Sequence, residues 1–258
     1  HDENGMLIGN NVTSDPAIRT ALNIGIDRRT IIENALAGFA KPTMNFAEAL
    51  PWANNALQEK DNRVDEAVKI LEAAGWKDTD GDGIREKNGM KAEFVINGRS
   101  NDLQRYNTAV ALAQDAKKLG INIIAKSTPW SEARKIARNI PTVWALGDFT
   151  PQVIYNYYHS SQVGVNVINN SAIYRNPAVD AHIDRALAAT SDEEAIREFK
   201  AAQWDGTAGA KMDVPYLWIV TMQVPYFVNE RLDLGQLRVG ERGQGMGVLA
   251  NLDDWQWK

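Results

Sequence analysis

The stretch FVINGRSNDLQRYNTAVALAQDAKKLGINII, Phe94 to Ile124, decides how the rest of the chain is read. Phe94, Val95 and Ile96 form a short run of strand-forming residues, and Asn97-Gly98 reads as a polar turn. Leu103, Tyr106, Val110 and Ala113 then recur at three- and four-residue spacing, and Leu119 is followed by Gly120, the residue that most often closes a helix. Ile121 to Ile124 opens a second strand. Strand, helix, strand is a βαβ unit, whose two strands must run parallel.

Working outward, Ser14-Asp15-Pro16 offers a cap and a proline at the first helical position, and Ile18, Ala21 and Leu22 follow at helical spacing. Gly25 interrupts that helix, Asp27 caps a second one carrying Ile31, Ile32, Ala35 and Leu36, and Gly38 stands at its C-cap position. Residues 39–60, with Pro42, Pro51 and Asn54-Asn55, read as an irregular surface excursion. Val64, Ala67, Val68 and Leu71 predict a helix over 62–74, ended by Gly75. Further helices are predicted over 131–139, 177–189 and 192–204, with strands over 142–146 and 214–220. Such alternation predicts an α/β fold, a mixed sheet flanked by helices.

Composition narrows the function. With 258 residues and 44% hydrophobic composition the chain can bury a large core. A net charge of −5, without long like-charge runs, gives no footprint for nucleic acid or an anionic membrane. The absence of cysteine removes disulfides, thiolate catalysis and cysteine-held metal centres, and only His1, His159 and His182 remain for imidazole chemistry. No cofactor is expected. No nucleotide fingerprint is read from Gly243-Gln244-Gly245-Met246-Gly247, whose spacing is wrong and which no helix follows. Asp78, Asp80, Asp82 and Gly83 copy the first half of a calcium loop, but Gly89 stands at the twelfth position where a bidentate Glu belongs, so a tight polar turn and no metal is the expectation.

Five segments, in order, resemble the peptide, dipeptide and nickel class (family 5) of extracytoplasmic solute-binding proteins that feed ABC importers. They are Asp15 to Arg28 with the following IIENALAGFAKP; Val64 to Gly89, with its Ala74-Gly75-Trp76 step and Lys87-Asn88-Gly89 turn; Lys118-Leu119-Gly120-Ile121 leading to Trp130; Tyr174 to Asp180; and Val214-Pro215-Tyr216. The resemblance implies a longer, two-lobed protein of the type II (class C) periplasmic binding protein-like fold, which encloses its ligand between lobes. Residues 1–230 would be the C-terminal ligand-binding lobe. Residues 231–258, with Leu252-Asp253-Asp254-Trp255, would be the segment that returns toward the first lobe. It further implies a small-molecule or short-peptide ligand, an ABC permease and the missing N-terminal lobe as partners, and a periplasmic or extracytoplasmic location, the signal peptide not being present in this chain.

Candidate ligand-binding residues follow from that resemblance and from strand ends. Trp144 to Pro151 follows a predicted strand where peptide-binding relatives carry an aspartate for the ligand's amino group, and Asp148 is the matching carboxylate, flanked by Trp144 and Phe149. The alternative for Asp148 is an Asx-turn. Tyr155, Tyr158 and His159 belong to a dense aromatic patch that suits either stacking on a ligand or core packing. Trp130 stands where relatives present a tryptophan near the ligand. Arg99, at a strand end, has the planar fork that holds a carboxylate. Two other functions compete: a hydrolase using Asp148, His159 and a serine such as Ser160 or Ser161, although no Gly-x-Ser-x-Gly elbow is present, and a degenerate structural or signalling domain that has lost its cleft.

Overall fold

The computed structural model describes residues 8–45, 50–57, 59–145, 150–223, 225–236, 249 and 251–258. Locally capped helices form where the sequence asks for them. Asp15 accepts from the Ala17 N–H to start α1 (Pro16–Gly25), and Asp27 accepts from Thr30 to start α2 (Arg28–Leu36). Helix α3 (Val64–Ala73) follows, then α4 (Leu103–Ala116), capped by Asp102. The C-terminal half adds α5 (Trp130–Ile136), α6 (Gln152–Tyr158), α7 (Pro177–Ala188, capped by Asn176), α8 (Asp192–Gln203, capped by Ser191) and the single turn α9 (Ala210–Asp213).

The described strands pair two by two. β1 (Ala40–Pro42) runs antiparallel to β6 (Val220–Met222), β2 (Glu86–Lys87) to β3 (Met90–Lys91), and β7 (Leu232–Asp233) to β8 (Gln256–Trp257). β4 (Glu93–Arg99) and β5 (Asn122–Thr128) are parallel over seven residues, Glu93 opposite Asn122 and Arg99 opposite Thr128. This is the expected βαβ unit, with α4 as its crossover. A parallel bridge from Asn97 to Thr142 adds a third segment beside β4.

Several local expectations need correction. Asn97 and Gly98 lie inside β4, because each pairs with β5 and Gly98 passes so close to Tyr106 that a Cβ would sit 2.5 Å from its Cα. The segment 142–145 makes one bridge and is otherwise not a strand. Of the strand expected over 214–220 only Val220 lies in a strand; before it, the Ile219 carbonyl accepts from the Thr43 N–H, and the Val214 and Trp218 carbonyls accept from arginine side chains. Residues 39–60 are less irregular than their prolines suggest, since Ala40–Pro42 pairs with β6 and Asn55–Leu57 form a 3-10 turn. The left-handed residue ending α2 is Ala37, with Gly38 left-handed after it.

Two apolar clusters form. One joins α1 to α4 and β4–β5 through Ile18, Ile31, Leu71, Trp76, Leu112 and Leu119; Gly25 permits this packing, because a Cβ there would meet Ala67 and Leu119 at 2.9 Å. The other joins α6, α7 and α8 through Ile154, Tyr158, Tyr174, Ile183 and Phe199. Two arginines tie these together. Arg28, fully buried, donates to the Trp218 carbonyl, to the Asn23 carbonyl and Oδ1, each at 2.9 Å, and meets Asp61 at 3.5 Å. Arg19 donates to the carbonyls of Thr13, Ser14, Asp213 and Val214. Desolvation pulls the Arg28 guanidinium down to about 10, with Asp61 opposing it, so it stays charged at neutral pH.

Asp15 is a second junction. Its Oδ2 accepts from the Trp76 indole at 2.9 Å and from Lys87 at 2.6 Å while Oδ1 caps α1. Burial works against its charge, but the bonds from Lys87, the Ala17 N–H and Trp76 outweigh that and hold the carboxyl below its usual range.

Replacing Arg28 with Ala strands the Asn23, Asp61 and Trp218 acceptors and is expected to cost about 3 kcal/mol, read from denaturant unfolding. A depressed Asp15 contributes stability that is present above its unfolded value near 3.8 and lost as pH falls through the lower folded value. Asp15→Asn should therefore flatten the acid limb of the stability–pH curve below about pH 5, measured by thermal melting across pH.

Candidate functional site

β4 lies between β5 and the 141–143 segment. Asn97 donates from its N–H to the Pro141 carbonyl and accepts from the Val143 N–H, both at 2.8 Å. Three parallel segments thus end together, and each delivers a predicted site residue. β4 ends on Arg99, β5 leads through Pro129 to Trp130 at the start of α5, and the third leads to Trp144. The Arg99 guanidinium sits 5.0 Å from the Trp130 ring centre, and Trp144 meets Trp130 edge to face at 5.5 Å. In sheets of this build, ligands bind outside the carboxyl ends of the parallel strands. Arg99 Nε is buried without a hydrogen bond. A guanidinium stacked on one half-buried indole, with its Nε unanswered, can take a planar anion such as a carboxylate.

Asp148 and Phe149 lie outside the described residues; Trp144, just before them, points to this same strand end. The aromatic patch divides. Tyr158, 4% exposed, is core: its hydroxyl accepts from the Trp218 indole at 3.0 Å, its ring packs on Tyr174 and Tyr216, and burial pushes its phenol up. The expected ligand-facing role for Tyr158 is corrected accordingly, because one face of a helix must be buried and Tyr158 is on it. Tyr155 is half-buried, its ring 5.0 Å from His159 and its hydroxyl 3.2 Å from Ser161 Oγ.

Of the two serines of the hydrolase reading, His159 meets Ser161 and not Ser160. Its Nδ1 accepts from the Ser161 N–H at 3.1 Å and lies 2.7 Å from the Ser161 hydroxyl, which leaves the proton on Nε2 to donate to Asp184 at 3.2 Å. Ser160 is instead bound through both N–H and Oγ to Asp180 of α7. A base nitrogen already capping a backbone N–H is badly placed to accept a nucleophile's proton.

The acidic turn closes on itself. Asp78 accepts from the N–H groups of Gly81 and Gly83, and the oxygens of Asp78, Asp80, Asp82 and Glu86 lie within 4.8 Å of one another. The Lys91 ammonium enters this group, bonding to Asp80 at 3.3 Å and to Asp82, with Glu86 3.9 Å away. The residue that sequence reasoning missed is Asn97, read as a turn because Asn-Gly usually is one. Only the pairing of both flanking segments reveals a strand.

The architecture is that of the type II periplasmic binding protein-like fold. The sequence matches the family described as bacterial extracellular solute-binding proteins, family 5 middle, over residues 4–178, and the chain belongs to that family. It is 34% identical to Protein XP55 of Streptomyces lividans over 179 residues, 67% of this chain and 32% of the relative. It is 25% identical to the oligopeptide-binding protein AppA of Bacillus subtilis over 257 residues, 95% of this chain and 45% of AppA. AppA solved with a nonapeptide superposes with a TM-score of 0.70 at 23% identity, covering 96% of this chain and 49% of that one. NikZ of Campylobacter jejuni, solved with Ni(L-His), gives 0.73 at 22% identity, covering 96% and 50%. The chain therefore spans less than half the length of these two curated relatives.

Replacing Tyr158 with Ala should cost about 3 kcal/mol or more in denaturant unfolding, as for a buried aromatic. Tyr155→Ala should cost less than about 1 kcal/mol.

Proposed function

We propose that this chain is the C-terminal lobe of a solute-binding protein that captures a short peptide between two lobes, outside the cytoplasm, and hands it to an ABC permease. The observation that carries the reading is the convergence of Arg99, Trp130 and Trp144 at the ends of three parallel segments. A peptide has what such a site answers: a carboxylate for Arg99 and apolar surface for the indoles. Asp148, which follows Trp144 in sequence, would hold the ligand's ammonium, and Phe149, Tyr155 and His159 are proposed as further ligand contacts. The likeness to AppA, solved with a nonapeptide, favours a peptide. The likeness to NikZ, solved with Ni(L-His), keeps a metal chelate as the second reading. His159 already donates from Nε2 to Asp184, which weighs against its serving a chelate.

Residues 1–230 would form the lobe proper and residues 231–258 the segment returning toward the N-terminal lobe. Support comes from the exposed apolar side chains where those segments meet, among them fully exposed Phe227, Val228 and Trp257, which suit the first lobe as a neighbour. We read the protein as carrying out no chemistry of its own, because His159 Nδ1 is engaged with Ser161 and Ser160 with Asp180.

Native mass spectrometry of the full-length protein from its host, followed by denaturation, should release a short peptide. A metal chelate instead would move the assignment to the second reading, and an empty protein that ignores a tripeptide library would favour the degenerate domain. Arg99→Ala should weaken peptide binding by about 2 kcal/mol, measured calorimetrically.

A further inference from the structure

We propose that Asn97 is a specificity-determining residue of this site, donating from Nδ2 to a carbonyl oxygen of the bound peptide; this rests on the reading of the chain as a peptide-binding lobe. Asn97 stands where the three parallel segments cross. Its backbone is bound on one side to Pro141 and Val143, and its Oδ1 accepts from the Thr128 hydroxyl of β5 at 2.9 Å. That bond turns Nδ2 the other way. The side chain is 1% exposed, and Nδ2 has no hydrogen-bond partner.

A buried donor without an acceptor costs free energy in the empty protein, and a site that keeps one has a use for it or a water on it. Arg99, two residues along the same strand, faces the same side, and its Nε is also buried and unanswered. The two Cα atoms lie about 6.6 Å apart along β4. An extended peptide advances roughly 3.3–3.6 Å per residue. A peptide whose carboxylate meets Arg99 therefore brings a backbone carbonyl, about two residues upstream, to the level of Asn97. The neutral amide adds no charge preference. It discriminates against ligands that lack an acceptor at that depth, since these leave the donor unpaired in the complex as well. Because Asn97 is sealed in the empty lobe, the contact requires the side chains that cover it to move aside.

The test uses the full-length protein, a randomised tripeptide pool, and melting with and without peptide. The paired variant Asn97→Leu, Thr128→Val removes the unpaired donor without stranding the threonine hydroxyl. It should melt at or above wild type when empty and bind the pool about ten-fold more weakly. Thr128→Val alone should keep its affinity. Asn97→Asp, which exchanges donor for acceptor at constant size, should lose at least as much binding as the paired variant. A paired variant that melts lower and binds like wild type marks a purely structural asparagine and overturns the proposal, as does Asn97→Asp binding normally. Wild-type protein that ignores the pool overturns the peptide-binding reading itself, a different failure from the loss of the Asn97 contact alone.

Discussion

A fully buried guanidinium holds the two halves of this chain in register. Arg28 sits at the first turn of α2, inside the N-terminal cluster, yet its Nε reaches the Trp218 carbonyl just before β6. Burying a charge is unfavourable unless its hydrogen-bonding capacity is met, and here Asn23, Asp61 and Trp218 meet it. The consequence is directional. A hydrophobic contact would let the 214–219 segment slide, whereas a planar fork with fixed acceptors admits one placement. Arg19 does the same four residues earlier in that segment, through the Asp213 and Val214 carbonyls.

With that segment fixed, the rest of the C-terminal cluster has a platform. Trp218 reaches Tyr158, Tyr216 packs on Tyr157 and Tyr158, and Asp213 accepts from Tyr174 and Asn176. α6 and the start of α7 are thereby set against the N-terminal helices without a continuous sheet between them. The proposed binding site lies on the other product of this arrangement, the end of the βαβ unit. There the backbone of Asn97 carries the neighbouring segment and its side chain holds β5. Rigid strand ends present Arg99 and the two indoles.

The sequence made the helices legible because their signals are local. Asp15 and Asp27 cap the helices where the sequence places them, α4, α7 and α8 form over their periodic stretches with Asp102, Asn176 and Ser191 as caps that the sequence reading did not single out, and α6 and α9, which carry no such signal, went unforeseen. Strands were legible only where an apolar run met a glycine-closed helix, as at β4 and β5. Ala40–Pro42 is too short and too proline-bound to announce itself, and residues 214–219 look like a strand because they are apolar, although arginines hold them. At the site, Arg99, Trp130 and Trp144 could be named from strand ends and from likeness to relatives. What no spacing reveals is which face of α6 is buried, hence the misreading of Tyr158, or that Asn97-Gly98 continues a strand past a pair of residues that usually ends one. Arg19 and Arg28 escaped notice for the same reason: a charged residue gives no local sign that its acceptors lie some 190 positions away.

The Lys91 ammonium among the carboxylates of the 78–86 turn has a consequence for how the lobe meets its surroundings. A counter-ion tethered to the chain is present at an effective concentration set by the covalent path between Lys91 and the turn, on the order of millimolar or above for short connections. Its contribution does not dilute. The shape of the turn, and with it the hairpin that brings Lys87 to Asp15, is thus buffered by connectivity against changes in the ionic make-up of the medium.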